Sequence, residues 1–206
     1  PAPPRTFVVT FDDGYATVYT RAWPVLRELN VPAAVFVNTA FLGGDDPFPF
    51  DGWGKAHAAV ASPEAYRPLT VAQCREMAAG GLVEIGAHTH THADFRGRPG
   101  EFQRDLRTCV AAVRAWFGAG RVPFAFPFGR KALGYVTDEL LTVAREAGVT
   151  CALTTEAELI GPGSDSFGWG RFNAYEWDTA ATLAGKLGGW YGWAPRLQER
   201  MARGRS

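Results

Sequence analysis

Apolar residues along this chain fall into short continuous runs separated by stretches with helical spacing. Residues 5–11 (Arg5-Thr6-Phe7-Val8-Val9-Thr10-Phe11), 31–37, 82–85, 123–126 and 149–153 each read as a strand buried on both faces. Between them, Val18, Ala22, Val25, Leu26 and Leu29 share one face of a helix over residues 17–29, with Pro24 as an internal kink. Thr70 caps a helix over 71–79 that Gly80-Gly81 ends. Phe102, Leu106, Cys109, Val110, Val113, Trp116 and Phe117 form the apolar stripe of a helix over 101–117. A further helix over 137–147 closes at Gly148. A sixth strand is expected near Phe167 to Ala174, and a last helix from Asp178 or Thr179 to about Tyr191. Pro1 to Pro4 read as an extended lead-in, and the Arg-rich tail after Pro195 as frayed. Strand alternating with helix predicts a parallel sheet covered by helices, with residues 1–206 as one domain.

Residues 41–68 break the alternation. They are rich in Gly, Pro and aromatics and include Asp45, Asp46, Asp51, Trp53 and His57. A segment this long in a compact domain is functional or carries short structure of its own, and here it is expected to wall a substrate groove.

Composition mainly excludes. Lys plus Arg is 21 and Asp plus Glu is 21, so the formal net charge is zero. There is no basic footprint for nucleic acid and no polybasic membrane patch. No run approaches the ~20 apolar residues of a membrane span. The chain begins at Pro1 rather than Met and shows no export signal, so the expected location is cytoplasmic. Cys74, Cys109 and Cys151 are odd in number and far apart, which reads as small buried hydrophobes rather than a disulfide framework or zinc site. Oligomeric state is not legible.

The chemistry gathers where strands end. Asp12-Asp13 follow the first strand, and two adjacent carboxylates there are costly unless they bind a cation or do chemistry. Three of the chain's four histidines, His88, His90 and His92, follow the third strand at alternate positions. On a helical turn His88 and His92 share a face and His90 points away; in an extended strand all three share one face and form a three-histidine site. Two histidines with Asp13 or Asp12 would make a 2-His-1-carboxylate set with open positions for water and substrate. Polar residues at the C-terminal ends of strands are where barrels and open α/β sheets place their sites.

Thr10-Phe11-Asp12-Asp13-Gly14 together with His88-Thr89-His90-Thr91-His92 resembles the first two motifs of the polysaccharide deacetylase family, the NodB-homology or family 4 carbohydrate esterases. Phe124-Ala125-Phe126-Pro127-Phe128-Gly129 resembles the third motif of one subgroup, and residues 6–190 fit the family's plan. The resemblance implies a distorted (β/α) barrel of six or seven parallel strands. It implies Asp12 as general base and Asp13, His88 and His92 as ligands of one divalent metal, zinc first, with Co2+, Ni2+ or Mn2+ as alternatives. The expected substrate surface is drawn from Tyr15, Trp53, Pro127, Phe128, Gly129 and Trp169.

The chain departs from the family pattern in three places. The third-motif arginine that orients the base is replaced by Ala125, so Arg130 or Arg171 must reach the carboxylate from elsewhere or the contact is lost. The Asp-x-x-Asp-Trp fourth motif is not recognisable; Glu176-Trp177-Asp178 matches it poorly, and Trp169 and Trp177 are the candidates for an acetyl-pocket wall. No histidine follows His92, so the general acid of the late Leu-x-x-His motif falls to His57, His90, a metal-bound water or nothing. The expected activity is hydrolysis of N-acetyl groups on an amino-sugar polysaccharide, oligosaccharide or glycan intermediate. The alternatives are a deacylase, deformylase or O-acetyl esterase acting on a small molecule, and a catalytically impaired carbohydrate-binding relative.

Overall fold

Five parallel strands lie side by side in chain order: β1 (Val9–Phe11), β2 (Ala33–Val37), β3 (Val83–Ala87), β4 (Pro123–Ala125) and β5 (Cys151–Leu153). The computed structural model describes residues 6–190; the expected lead-in, the end of the last helix at Tyr191 and the tail after Pro195 lie outside the described residues. Strands added in strict sequence order, each through a covering connection, curl one way, because such crossovers are right-handed. The product is a half-barrel, open between β5 and β1. The strand count is five among the described residues, not six or seven. The expected sixth strand contributes one bridge, Trp169 to Leu153. Gly168 and Gly170 flank that tryptophan, and glycine weakens a ladder.

The crossovers carry the remaining elements. A π-helical turn at Val18–Ala22 leads into α1 (Trp23–Leu29), and Pro24 sits in the first turn of α1, where its missing N–H costs nothing. The expected kink is therefore a change of helix type. Residues 41–68 hold the short helix α2 (Gly52–His57), with Asp51 as N-cap accepting from Gly54 N, and a 3-10 turn at Pro63–Ala65. Next come α3 (Val71–Ala79), closed at its start by a Thr70–Gln73 capping box, and α4 (Pro99–Phe117). α5 (Asp138–Glu146) and α6 (Ala180–Leu187) complete the helices. No described helix is long and apolar enough to cross a membrane.

Alternation along the strands splits the core. Val35, Val37, Val83, Ile85, Phe124 and Ala152 join the helix-side cluster with Phe102, Leu106, Cys109, Val110 and Val113 of α4. Ala34, Phe36, Ala125 and Leu153 face the other way and pack with Trp169 inside the half-barrel. Gly86 makes that inner packing possible. A Cβ there would lie 2.6 Å from the Phe36 ring and 2.7 Å from the Pro123 carbonyl oxygen. The aromatics of the long segment form a satellite core: Phe48 is 1% exposed and touches Tyr15, Phe41 and Phe50. Of the cysteines, Cys74 and Cys109 are buried and Cys151 half-buried, all three unpaired.

Candidate active site

β1 ends at Phe11 and the next residues turn sharply. Asp13 has φ 68° and Gly14 φ 83°, and Gly14 N bonds the Asp12 carbonyl at 2.8 Å. A left-handed backbone at a non-glycine residue is uncommon and is held only when its surroundings demand it. Glycine follows because a Cβ at residue 14 would lie 3.1 Å from Val37. The turn sends the two carboxylates in different directions.

The histidine run is neither strand nor helix. β3 stops at Ala87, and residues 88–92 form a tight loop with Thr89 at φ 67° and His92 at φ 55°. Thr89 Oγ1 accepts from His92 N at 3.0 Å and so staples the loop. Asp105 on α4 accepts from His90 N and Thr91 Oγ1. Asn38, fully buried at the end of β2, donates to the carbonyls of His88 and Thr89. The result brings His88 and His92 together, with ring centroids 5.1 Å apart, and turns His90 toward Thr39, whose Oγ1 lies 2.9 Å from His90 Nδ1.

His88 and His92 meet Asp13. Their Nε2 atoms lie 3.3 and 3.4 Å from Asp13 Oδ1. Among the described residues, Asp13, His88 and His92 are the group of potential ligands whose donor atoms converge, all within 4.8 Å of one another. The protonation pattern favours a cation. His88 Nδ1 donates to the Ala125 carbonyl at 2.8 Å, which leaves the lone pair of a neutral ring on Nε2, aimed at Asp13 Oδ1. Two acceptors facing each other repel unless a proton or a cation lies between them. Asp13 Oδ1 is also buried without a hydrogen-bond partner. Two imidazoles and one carboxylate suit a divalent transition ion and leave positions open for water and substrate.

The neighbours set the electrostatics. Burial works against the charged form of His88, but the Asp12 and Asp13 carboxylates and the Ala125 carbonyl outweigh it and raise its pKa. For His92, burial and the nearby His88 dominate and push it down to about 4. Phe50 stacks on His92 with centroids 3.9 Å apart, and Phe128 meets it edge-on at 4.9 Å, so the ring is held from two sides.

Asp12 faces Arg171. Nη1 and Nη2 donate to its two oxygens at 2.7 and 2.8 Å, a bidentate pair. The same guanidinium donates through Nε to the Thr154 carbonyl at 3.0 Å and through Nη1 to Thr10 Oγ1 at 3.1 Å. Thr154 follows β5 and Thr10 belongs to β1, so one side chain spans the open seam of the half-barrel. Burial raises the Asp12 pKa, but His88 and Arg171 outweigh it and hold the carboxyl below its ordinary value. Arg130 is exposed, and no recorded contact ties its side chain to Asp12.

The other expected site residues scatter. His57 lies on α2, its ring stacked on Trp53 and its Nδ1 2.8 Å from the Trp53 carbonyl. Trp53 is 53% exposed. Tyr15 is half-buried, packs on Phe48 and hydrogen-bonds Asp51; burial and that carboxylate raise its pKa. Pro127 is buried, Phe128 sits at φ 63°, and Gly129 at φ 60° approaches Thr155 so closely that a Cβ would meet its amide at 2.7 Å. Trp169 plugs the half-barrel behind the site, with its indole N–H buried and unpartnered. Trp177 stacks on Tyr175 at the surface. Sequence reasoning passed over Asn38, Phe50 and Asp105. Asn38 carried a signal, because it is a polar residue at the end of a buried strand, as Asp12 is.

Comparisons with known proteins show which family the chain resembles. The chain is 22% identical over 174 residues to a poly-beta-1,6-N-acetyl-D-glucosamine N-deacetylase of Staphylococcus aureus (strain MRSA252), a match covering 80% of this chain and 53% of the relative. It is 26% identical over 188 residues to the putative polysaccharide deacetylase YxkH of Bacillus subtilis (strain 168), covering 91% of this chain and 56% of that one. The chain thus spans about half the length of the curated relatives it matches. Among solved structures it resembles IcaB from Ammonifex degensii (TM-score 0.69, 26% identity, 90% of this chain and 72% of that one). It also resembles the deacetylase domain of BpsB from Bordetella bronchiseptica (TM-score 0.67, 26% identity, 83% and 72%). The family model for polysaccharide deacetylase matches residues 1–152, which include both carboxylates and all three clustered histidines, and the chain therefore belongs to the polysaccharide deacetylase family.

Proposed function

We propose that residues 1–206 form one catalytic domain that hydrolyses N-acetyl groups of an amino-sugar polysaccharide, with one divalent metal as cofactor. The observation that carries this reading is the pairing of roles on adjacent carboxylates: Asp13 converges with His88 and His92, while Asp12, close enough to His88 to raise its pKa, is held by Arg171. Asp13, His88 and His92 would hold the ion, and the nitrogen-rich set favours Zn2+ while admitting Co2+, Ni2+ or Mn2+. Such an ion, when bound, polarises the amide carbonyl and acidifies a water.

The chain's own residues supply the rest. Arg171 occupies one lone pair on each Asp12 oxygen and leaves the others free. Asp12 takes a proton from the attacking water as its oxygen bonds to the acetyl carbon. The carbon–nitrogen bond then breaks, acetate forms, and the amine leaves with a proton. Neither His57 nor His90 has a recorded contact with the Asp12–Asp13–His88–His92 group, and each has a ring nitrogen near another partner. In this reading the proton for the amine is the one Asp12 has just taken. Phe50 and Phe128 shield His92 and dry one wall of the site, and Phe128, 43% exposed, offers an apolar surface at its mouth.

The test is acetate release from oligosaccharides of β-1,6-linked N-acetylglucosamine, measured before and after chelation and again after Zn2+ is restored. Activity that disappears with chelation and returns with metal supports the assignment. Undiminished hydrolysis in chelator would overturn the metal's role, and absence of acetate release from the metal-loaded protein would overturn the activity.

A further inference from the structure

Past Arg171 the chain leaves the half-barrel at the end that carries Asp12 and builds a small, tightly tied turn. Tyr175 N donates to Asp178 Oδ2 at 2.8 Å, and Asp178 N donates to the Tyr175 carbonyl at 2.9 Å. Lys186 of α6 donates to the same carboxylate at 2.5 Å and to the Asn173 carbonyl at 2.9 Å, and Thr182 Oγ1 bonds Asp178 Oδ1 at 3.0 Å. The Asp178 side chain is only 6% exposed, so a nearly buried carboxylate knots the turn to α6.

The knot presents two aromatic rings. Tyr175 and Trp177 stack almost parallel, with centroids 4.7 Å apart and planes at 6°. The Lys186 ammonium lies 5.0 Å from the Tyr175 ring. Trp177 is 70% exposed, and its one recorded ring contact is with Tyr175. Tyr175 and Trp177, 48% and 70% exposed, together make an aromatic patch open to water, and contiguous exposed apolar patches mark interaction sites. Trp177 belongs to neither core cluster.

We propose that the outer face of Trp177 is a sugar-stacking platform that binds a unit of the polymeric substrate away from the reacting acetamide. The proposal deepens the deacetylase reading and rests on it. An indole face suits a pyranose because the ring's axial C–H groups form an apolar patch that packs flat on an aromatic surface. Continuity with the site selects this occupant: Trp177 stands six positions after Arg171, and that length spans at most ~22 Å. A polymer with one unit at Asp12 has others within reach of the platform; a small acylated molecule has none.

The experiment is calorimetric binding of β-1,6-linked N-acetylglucosamine oligosaccharides of two to six units to the parent chain, W177A and W177F. All three proteins carry Asp12→Asn to suppress turnover, so the outcome is separate from that of the acetate-release test. In the parent, affinity rises about tenfold from the shortest to the longest ligand, the scale of one good aromatic contact. W177A loses that rise and W177F keeps most of it. A parent affinity independent of length, no binding of the longest ligand, or a rise that survives in W177A would each overturn the platform. So would a W177A effect confined to oligomeric state on gel filtration, which would assign the ring to a protein neighbour.

Discussion

Arg171 donates two parallel hydrogen bonds, of 2.7 and 2.8 Å, to the two oxygens of Asp12, a residue 159 positions earlier in the chain. The pair replaces a contact expected from the third motif, where this chain has Ala125. It arises because the segment after β5 runs beside it: Arg171 N bonds the Glu156 carbonyl and Trp169 N the Ala152 carbonyl. The guanidinium then reaches across the seam to β1. One side chain holds Asp12 and links β1 to the segment that follows β5.

Arg171→Ala should therefore leave metal binding intact but lower turnover by about 10²-fold, the cost of a catalytic group displaced by roughly an ångström. Arg171→Lys keeps the charge but not the fork and should fall between alanine and parent. Steady-state kinetics with a metal-content assay checks both. Equal activity of Arg171→Ala and parent would show that Asp12 needs no orientation.

Asp12→Asn should retain metal and lose about 10²–10⁴ in turnover, the usual worth of general base catalysis. Asp13→Ala and His88→Ala should lose the metal itself. Measuring bound metal and acetate release on the same samples separates the two carboxylates. If Asp12→Asn loses metal as Asp13→Ala does, the division of roles between neighbours is wrong.

His90→Ala and His57→Ala should each bind metal as the parent does and retain most turnover, because each ring faces its own partner away from Asp13. A fall of about 10²-fold or more in either variant on an amide substrate, absent on an ester with a good leaving group, would identify that imidazole as the acid that protonates the amine.

Gly86→Ala should destabilise the fold by roughly 1–3 kcal/mol, since the added methyl overlaps the Phe36 ring and the Pro123 carbonyl inside the half-barrel. Urea unfolding of the two proteins reads this directly. An unchanged midpoint would mean that Phe36 moves aside at no cost.

Much of this protein was legible in the chain itself. Strand β2, five buried residues in a row, and the α4 stripe of Phe102, Leu106, Cys109, Val110 and Val113 follow from local periodicity, because burial on one or both faces repeats with the geometry of the element. Asp12, Asp13, His88 and His92 stood out because a polar cluster at the end of an apolar strand is costly to bury unless it holds a cation or does chemistry. The pattern could not decide the shape of residues 88–92. Strand and helix were the periodic choices, and the answer is an irregular loop set by Thr89, Asn38 and Asp105, whose contacts come from the loop itself, the end of β2 and α4. Nor could it decide which arginine reaches Asp12, or that Trp169 ends as a plug with one bridge rather than in a sixth strand. Local sequence determines where a backbone must bury or turn. Only the tertiary structure decides which distant side chains share a site, because that depends on how strands five and one come to face each other across an open seam.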